Sequence, residues 1–423
     1  MSDASVPIAT SARRLLWLTE HYPPSRGGMS ESCDRIVGAL RARGLHIDLV
    51  HFSRHATTPK RLQRQGGLEL VLPLDADAGH LLRCAYNDIS ALHQEHSYSH
   101  VVVFGGALSL LAGPVYAAWL NVPLVTLLRG NDFDVGVFGE RRREVLRDAL
   151  LRAATVCAVS RDKVVQAQAL WPQVQAEYIP NGLDLRTWRT AASDRARAAD
   201  LRRQIQSAQP DPELRIVGLI GQIKPKKGGL LLLQALLRSG VTARLHLLLI
   251  GECEPEVLAW LQAHSTSIFY TLRPTCDRYE LLSLYPACDV VALPSYYDGM
   301  PNVMLEAAGL GIPLLAARTG GMADLLREPE HGFLFPPGDV GACAEALGRF
   351  CAASVATLQA MGTACQQLVS SQLTVEREAN SYLSVFAKTQ VAAAVRGLAG
   401  DTQELVRNIL PKDPTQSADK AKQ

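Results

Sequence analysis

The segment from Val101 to Leu128 contains no Asp, Glu, Lys or Arg, and an uncharged run of this length can form a membrane-spanning helix. Gly105-Gly106, Pro114 and Asn121-Val122-Pro123 interrupt the run. They divide it into a strand, a helix and a second strand, at 101–104, 108–119 and 124–128. Strands of a parallel sheet that is covered on both faces are continuous apolar runs. The segment therefore predicts a buried βαβ unit, with the membrane span as the alternative.

The alternation of strand and helix occurs twice along the chain. Apolar runs predict strands before residue 181 and again after residue 214, at 13–19, 46–52, 156–160, 177–180, 215–221, 245–251, 268–272, 289–294 and 313–317. Residues 186–213 between the two sets are polar, which indicates a linker with some helix. A second βαβ set at this distance favours two doubly wound domains over one long domain. We therefore predict an α/β fold, with one domain over residues 1–185 and another over 186–375.

Composition narrows the class of protein. Of the 423 residues, 48% are hydrophobic and 20% are charged, as in a soluble globular enzyme. The net charge of +2 gives no reason to expect nucleic acid as a partner. The nine cysteines contain no C-x-x-C pair, so neither a disulfide framework nor a zinc site is indicated. Residues 1–12 lack the apolar core of a signal peptide, and we expect a cytoplasmic protein.

A helix with a single acid is predicted after the strand at 289–294. Pro301 is tolerated in a first helical turn, because its missing N–H has no partner there. The residues from Val303 to Leu310 are apolar except for Glu306. A helix of this kind is buried, and its lone carboxylate needs a hydrogen-bond partner.

Asp298 lies eight residues before Glu306. On one helix this spacing would put the two acids roughly 12 Å apart, which is too far to share a proton but suits two ends of one elongated polar ligand. The loop between Gly299 and Asn302, which includes Met300 and Pro301, would present its amides to an anion at the helix start. The alternative is a plain strand-to-helix turn, in which Asp298 caps the helix and Glu306 bonds a neighbouring loop.

This pattern of an acid, Gly-x-Pro, a Glu eight positions after the acid, and a second Gly-x-Pro resembles the E-x7-E signature of family-4 retaining glycosyltransferases. The resemblance covers about residues 13–388 and implies the GT-B fold, in which two Rossmann-like domains face a cleft. In that family the first acid lies at the transferred sugar and the second holds the ribose hydroxyls of the nucleotide. By position these acids are Asp298, one methylene shorter than the usual Glu, and Glu306.

The N-terminal glycine-rich loop is a candidate phosphate site. Gly27 and Gly28 lie between the first strand and a helix expected over 32–43, so backbone amides can face a phosphate at the helix start. The alternative is an ordinary turn. The Pro-Pro-x-x-Gly-Gly run resembles the family loop that lies against the donor diphosphate and sugar.

A second candidate phosphate loop follows the strand at 215–221. Lysines and glycines at the start of a helix suit a diphosphate, although a surface lysine cluster is the alternative. The loop resembles the family pattern Gly-Arg-x-x-x-x-Lys-Gly, in which both basic residues contact the diphosphate. Lys227 matches this pattern, but Gln222 occupies the arginine position. We hypothesise that Lys224 supplies the missing charge.

The loop from Arg129 to Asp132 follows a buried strand, at the end of the sheet where open α/β folds bind ligands. In the family this loop usually reads His-Gly-x-Asp and lines the reaction cleft, and Arg129 occupies the histidine position. Arginine does not deprotonate, which argues against a general-base role. Arg129 could instead hold a phosphate or carboxylate by two parallel bonds.

Three further segments carry predictions. The polar loop 53–67 is interpreted as a solvated surface or as an acceptor-side basic patch; its basic residues are Arg54, His55, Lys60, Arg61 and Arg64. The basic face of a helix at 140–153 is partly balanced by acids, which favours a solvated face over a membrane patch. The resemblance implies a helix at 376–397 that crosses back to the first domain. Residues 401–404 then predict a capping box for a short helix within 398–423, followed by a disordered tail.

These features predict a glycosyltransferase that uses a nucleotide diphosphate sugar, and the resemblance implies retention of configuration without a metal or other cofactor. The predicted catalytic residues are Asp298, Arg129 and Asp132. The predicted donor-binding residues are Gly27, Gly28, Gln222, Lys224, Lys227, Gly299, Met300, Pro301, Asn302 and Glu306. The acceptor would be a glycan, a lipid-linked sugar or a small molecule, and peripheral contact with the inner face of a membrane stays open. The alternatives are a nucleotide-sugar epimerase and a non-catalytic nucleotide-sugar-binding subunit.

Overall fold

The structure, a computed structural model, describes residues 13–74 and 77–409, with the side chains of 131 and 394–409 excepted. Within these residues the strands are β1 (Arg14–Thr19), β2 (His46–Ser53), β3 (Lys60–Arg64), β4 (Gly67–Pro73), β5 (His100–Phe104), β6 (Leu124–Leu128), β7 (Thr155–Ala158), β8 (Ala176–Tyr178), β9 (Arg215–Ile220), β10 (Leu245–Ile250), β11 (Phe269–Arg273), β12 (Val290–Leu293), β13 (Leu314–Ala317) and β14 (Gly332–Phe335). The helices are α1 (Gly28–Arg41), α2 (Ala78–His96), α3 (Ala107–Trp119), α4 (Asn131–Asp134), α5 (Glu140–Leu151), α6 (Arg161–Leu170), α7 (Ala192–Ala208), α8 (Gly229–Ser239), α9 (Pro255–Ala263), α10 (Arg278–Leu284), α11 (Asn302–Gly309), α12 (Gly320–Leu325), α13 (Val340–Ala352), α14 (Val355–Gln372) and α15 (Val375–Ile409).

The first eight strands form one sheet, in the order β3-β4-β2-β1-β5-β6-β7-β8. Its neighbours are parallel except for β3 and β4, which form an antiparallel hairpin. The chain runs outward from β1 and then returns to place β5 on the other side of β1. Ligands of doubly wound sheets bind beyond the carboxyl ends of the strands at such a reversal. The loops at this point begin at Glu20 and at Gly105.

The last six strands form a parallel sheet, in the order β11-β10-β9-β12-β13-β14. Here the strand order reverses between β9 and β12. The loop after β9 contains Lys227, and the loop after β12 contains Asp298. The two loops that the sequence selected as a phosphate site and as an acidic signature therefore lie at the same edge of the same sheet.

The uncharged segment forms β5, α3 and β6, as predicted, and both strands are fully buried. Apolar side chains of β1 and β5 pack in one core with side chains of α15. Over the part of the chain that the structure describes, no helix is both long enough and apolar enough to span a bilayer.

The chain passes between the two sheets twice, and the two passages lie side by side. The N–H of Leu183 donates to the carbonyl of Leu373 (2.7 Å), and that of Val375 donates to the carbonyl of Leu183 (3.1 Å). Glu378, near the start of α15, accepts from the N–H of Gly182 (3.0 Å) and pairs with Arg35 of α1 (3.1 Å). Helix α15 therefore holds the connection between the domains against the first domain.

Three predictions of secondary structure are wrong. Helix α1 begins at Gly28 and not near residue 32, because Gly27 is its N-cap and accepts the first helical bond, from the N–H of Glu31 (3.1 Å). The polar loop 53–67 contains strand β3, an edge strand whose mostly exposed residues have no apolar alternation to reveal it. Helix α15 continues through residues 401–404, so no new helix begins there; its residues 391–399 include good helix formers and no proline. The predicted tail beyond Ile409 and residues 1–12 lie outside the described residues.

Candidate active site

An ion pair joins the two loops at the reversal point of the second sheet. The ammonium of Lys227 contacts the carboxylate of Asp298. Lys227 ends a short 3-10 turn directly before α8, and Asp298 lies in the loop between β12 and α11. Asp298 is therefore not on the helix that carries Glu306, and the N-cap of that helix is Pro301. The interpretation of Asp298 as a simple helix cap is wrong.

Lys224 lies beside Gln222, the residue at the position of the family arginine. The ammonium of Lys224 donates to Oε1 of Gln222 (2.7 Å). The ammonium of Lys224 thus lies next to the side chain that replaces the family arginine. This position is the one required by our hypothesis that Lys224 supplies the missing charge, which stays a prediction. Lys226, which the sequence did not select, lies over the ring of Tyr297 at 4.5 Å. Burial and the charge of Lys227 lower the pKa of Lys226.

Glu306 is half-buried on α11 and has one strong partner. Its Oε2 accepts a hydrogen bond of 2.6 Å from the hydroxyl of Tyr285, a fully buried residue that follows α10. Burial raises the pKa of Glu306 to about 7, and the bond from Tyr285 opposes this rise. The sequence indicated that Glu306 needs a partner but contained no signal for Tyr285.

The backbone of the first domain contacts the backbone of the loop from Asp298 to Asn302, which we call the signature loop. Gly130 has a φ of +116°, and a Cβ added there would lie 2.7 Å from the nitrogen of Gly299. A Cβ on Gly299 would lie 2.3 Å from the carbonyl oxygen of Arg129. Any side chain at either position would force the two loops apart, so the pair of glycines allows this approach.

Two asparagines connect the signature loop to the first domain. Asn302 donates to the carbonyl of Gly28 (3.1 Å) and accepts from the hydroxyl of Ser32 (3.2 Å). Asn181 donates to the carbonyl of Met300 (2.9 Å). The structure therefore brings the predicted residues Gly28, Met300 and Asn302 together, with Gly27 at the start of α1 beside them. Asn181 follows β8 near the connection between the domains and was not among the predicted site residues.

Arg129 is buried and is held by neutral groups. Its guanidinium donates to the hydroxyl of Tyr382 (3.3 Å) and to Oδ1 of Asn181, and it lies 5.0 Å from the centre of the Phe104 ring. Asp132 accepts from the backbone N–H of Arg129 at 3.0 and 3.1 Å. Burial raises the pKa of Asp132, against these bonds. The phosphate-binding role of Arg129 stays a prediction. In this arrangement its side chain points to Asn181 and to Tyr382 of α15.

Metal binding has no candidate among the residues that the structure describes, since no group of three or more His, Cys, Asp or Glu side chains is arranged to hold an ion.

Comparison with known families identifies the chain. Residues 27–182 match the family model described as glycosyl transferase 4-like domain, and residues 214–353 match the model described as glycosyl transferases group 1. The two matches together cover more than half of the chain. The chain is a glycosyltransferase. Its sequence has no significant match among curated proteins.

Solved structures similar to this glycosyltransferase cover nearly all of it. Sucrose-phosphate synthase from Thermosynechococcus elongatus has a TM-score of 0.74 and 20% identity, over 90% of this chain and 100% of that one. HepE from Anabaena, solved in complex with UDP and glucose, has a TM-score of 0.70 and 20% identity, over 89% and 100%. The catalytic domain of starch synthase IV from Arabidopsis thaliana, bound to ADP and acarbose, has a TM-score of 0.68 and 14% identity, over 90% and 100%. These likenesses confirm the predicted GT-B fold of two Rossmann-like domains.

Proposed function

We propose that this glycosyltransferase moves a hexosyl group from a nucleotide diphosphate sugar to an acceptor hydroxyl with retention of anomeric configuration. The observation that carries the proposal is the Lys227–Asp298 ion pair at the reversal point of the second sheet, with Glu306 on the next helix. Lys227 provides a cation for the diphosphate, Asp298 an acceptor for the sugar hydroxyls, and Glu306 an acceptor for the ribose. The UDP and UDP-glucose complexes of Anabaena HepE, which has the same fold, support a nucleotide-sugar donor.

The chemistry assigned to these residues is electrostatic. The bond between the anomeric carbon and the diphosphate breaks, and negative charge develops on the leaving group. Lys227, with Lys224 beside Gln222 and the first amides of α8, stabilises that charge. The bond to the acceptor oxygen forms on the same face of the sugar, and the hydroxyl proton passes to the departing phosphate oxygen. In this proposal the lysines and amides, and no metal ion, neutralise the leaving group.

The acceptor class is a glycan, a lipid-linked sugar or a small molecule, and nucleic acid is not a partner. We propose a cytoplasmic location, with peripheral contact at the inner face of the membrane if the acceptor is lipid-linked. This part of the proposal follows from the resemblance and from the composition of the chain.

A donor panel tests the proposal. Thermal unfolding with UDP, GDP and ADP sugars selects the nucleotide, since a ligand that binds only the folded state raises the unfolding temperature. Turnover of the selected donor is then measured with and without acceptor mixtures, and NMR of the product reads its anomeric configuration. Transfer with retention is the expected result. Conversion of the donor to another nucleotide sugar without acceptor would instead identify an epimerase. Donor binding without transfer or hydrolysis would identify a non-catalytic subunit.

A further inference from the structure

A cluster of basic and imidazole side chains lies where β1 and β2 end. The two strands are parallel neighbours, and Thr19 pairs with His51 in their register. The loop that starts at Glu20 and the loop that starts at Arg54 therefore leave the same edge of the sheet. This is also the edge at which Gly27 and Gly28 lie, so the cluster adjoins the predicted donor site.

His21 connects this cluster to the reaction centre. A Cβ added to Gly105 would lie 3.8 Å from Cδ2 of His21 and 3.5 Å from Oδ2 of Asp132. His21, Asp132 and Met29 thus all lie close to Gly105 at the reversal point of the first sheet. The loop of Asp132 also includes Gly130, which touches Gly299 of the signature loop.

His51 is the unusual member of the cluster. Its side chain is fully buried, and neither ring nitrogen has a hydrogen-bond partner. The ring of Tyr22 packs edge-on against it, with 6.0 Å between ring centres. Most buried polar groups are hydrogen-bonded, and leaving one unpaired costs free energy. The N–H of the His51 ring therefore remains without a partner within the described part of the protein.

The charge of the cluster suits an anion. Arg54 and His55 are exposed, and the loops at 20–28 and 53–59 contain a single acid, Glu20. The carboxylate of Glu20 accepts from the N–H of Leu108 at the start of α3 (2.6 Å), and its charge is also attracted by that of Arg54. Burial lowers the pKa of His51 to about 4, and burial and the charge of Arg54 lower that of His21. Both rings are therefore neutral near pH 7, and each retains one N–H donor beside the permanent charge of Arg54.

We propose that His21, His51, Arg54 and His55 bind a phosphate group carried by the acceptor. The proposal rests on the proposed function, because only a transferase has an acceptor. A guanidinium with several N–H donors is the arrangement that binds phosphate oxygens. The phosphate can belong to a water-soluble sugar phosphate or to a sugar linked to a lipid through phosphate, since the group that the cluster contacts is the same.

Calorimetry with the nucleotide site filled tests the proposal. The full-length protein is saturated with the nucleoside diphosphate selected by the donor panel and titrated with glucose 6-phosphate, glucose and inorganic phosphate. We expect glucose 6-phosphate to bind at least tenfold more tightly than glucose, and inorganic phosphate to compete with it. A polyprenyl phosphate sugar in detergent forms a second arm. Tighter binding of that probe assigns the phosphate to a lipid, and tighter binding of glucose 6-phosphate assigns it to a soluble acceptor.

Two substitutions and one control complete the test. Arg54→Ala and His51→Phe should each weaken binding of the preferred phosphate probe at least tenfold and leave nucleotide affinity unchanged. His51→Phe should also raise the unfolding temperature, because it removes the unpartnered ring nitrogens. Arg152→Ala is the matched control, since Arg152 is exposed after α5, next to the start of β7 and so at the opposite edge of the sheet.

The outcomes separate the two proposals. If the nucleotide itself does not bind, the proposed function is overturned and this inference with it. If the nucleotide binds but sugar and sugar phosphate bind equally, or if Arg54→Ala changes phosphate binding no more than Arg152→Ala, the phosphate site alone is overturned.

Discussion

The ammonium of Lys227 is paired with the carboxylate of Asp298, and the two belong to loops that follow different strands of the second sheet. The proposed function gives each a separate partner, the diphosphate for the lysine and the sugar for the acid. A donor that binds between them must therefore share the lysine with Asp298. Removal of the charge of Asp298 should therefore lower the rate of transfer without lowering the affinity for the nucleotide.

Asp298→Asn tests whether Asp298 binds the sugar while Lys227 binds the diphosphate. We expect turnover to fall at least a hundredfold, because the sugar loses a charged hydrogen-bond acceptor, which corresponds to about 3 kcal/mol. Nucleoside diphosphate affinity should stay equal or rise a few-fold, because Lys227 no longer has a competing carboxylate. Calorimetry and initial rates on the same preparation measure both quantities. A parallel loss of affinity and turnover would contradict separate roles.

The hypothesis that Lys224 replaces the charge of the family arginine can be tested by placing an arginine at position 222. Lys227→Ala should weaken donor binding strongly, and Lys224→Ala should weaken it less. Adding Gln222→Arg to the Lys224→Ala variant should recover the affinity, because a guanidinium then replaces the ammonium that Gln222 holds. Titrations at low salt, where attraction is least screened, give the clearest comparison. An unchanged affinity in Lys224→Ala would show that Lys224 is only a surface lysine.

Glu306→Ala should weaken the nucleotide itself by about 1.5–3 kcal/mol, because a charged hydrogen bond to the ribose is lost. The 2′-deoxynucleotide provides the matched ligand. The parent protein should prefer the ribonucleotide, and the variant should bind the two nucleotides alike. Calorimetry on the four combinations measures the coupling between the acid and the hydroxyl. Equal discrimination by parent and variant would exclude Glu306 as the ribose ligand.

Glu306 should also make stability depend on pH. Its pKa in the folded protein is about 7, above the ordinary value of 4.5, because of burial. The folded state therefore binds more protons between these values, and stability decreases as pH rises from 4.5 to 7. Relative to the parent, Glu306→Gln should gain about 1–3 kcal/mol of unfolding free energy between pH 5 and pH 8. Urea unfolding at both pH values measures this difference, and a constant difference would mean that the pKa of Glu306 is ordinary.

Gly130→Ala tests whether the close approach of the two loops matters for transfer. The new Cβ would displace Gly299, so turnover should fall at least tenfold, while nucleotide binding to the second domain persists. Gly240→Ala is the control, because Gly240 also has a positive φ of +70° but nothing within 4 Å of an added Cβ. Both variants place a Cβ on a residue with a positive φ, and only Gly130→Ala also changes the approach of the domains. Equal turnover in the two variants would contradict a role for the contact.

Sequence reasoning predicted the sheets of this fold well, because buried parallel strands are uniform apolar runs bounded by glycine and proline. It failed at β3, where the edge strand of the first sheet is polar on most of its length and has no such run. It also missed β4, although that strand is buried. It also ended α15 too early, because the residues of a capping box at 401–404 are equally acceptable inside a helix.

The candidate site was predicted in part, and the missing part consists of contacts between distant segments. Lys227 and Asp298 were selected separately by motif, but their ion pair depends on two strands being neighbours in the sheet. Tyr285 is an ordinary buried tyrosine in sequence and becomes the partner of Glu306 only through packing of its loop on α11. Arg129 was assigned to the cleft by alignment with a family histidine, although its length carries the guanidinium to Tyr382 of α15.

The paired passages between the domains determine how the cleft can open. Because Leu183 is hydrogen-bonded to both Leu373 and Val375, the two connecting segments form one short ribbon that resists shear and axial twist. Rotation about that ribbon would leave these bonds intact, so we expect the domains to open by this hinge motion. The width of an opened cleft would then grow with distance from Leu183, and we expect the largest ligands to enter at the rim farthest from it.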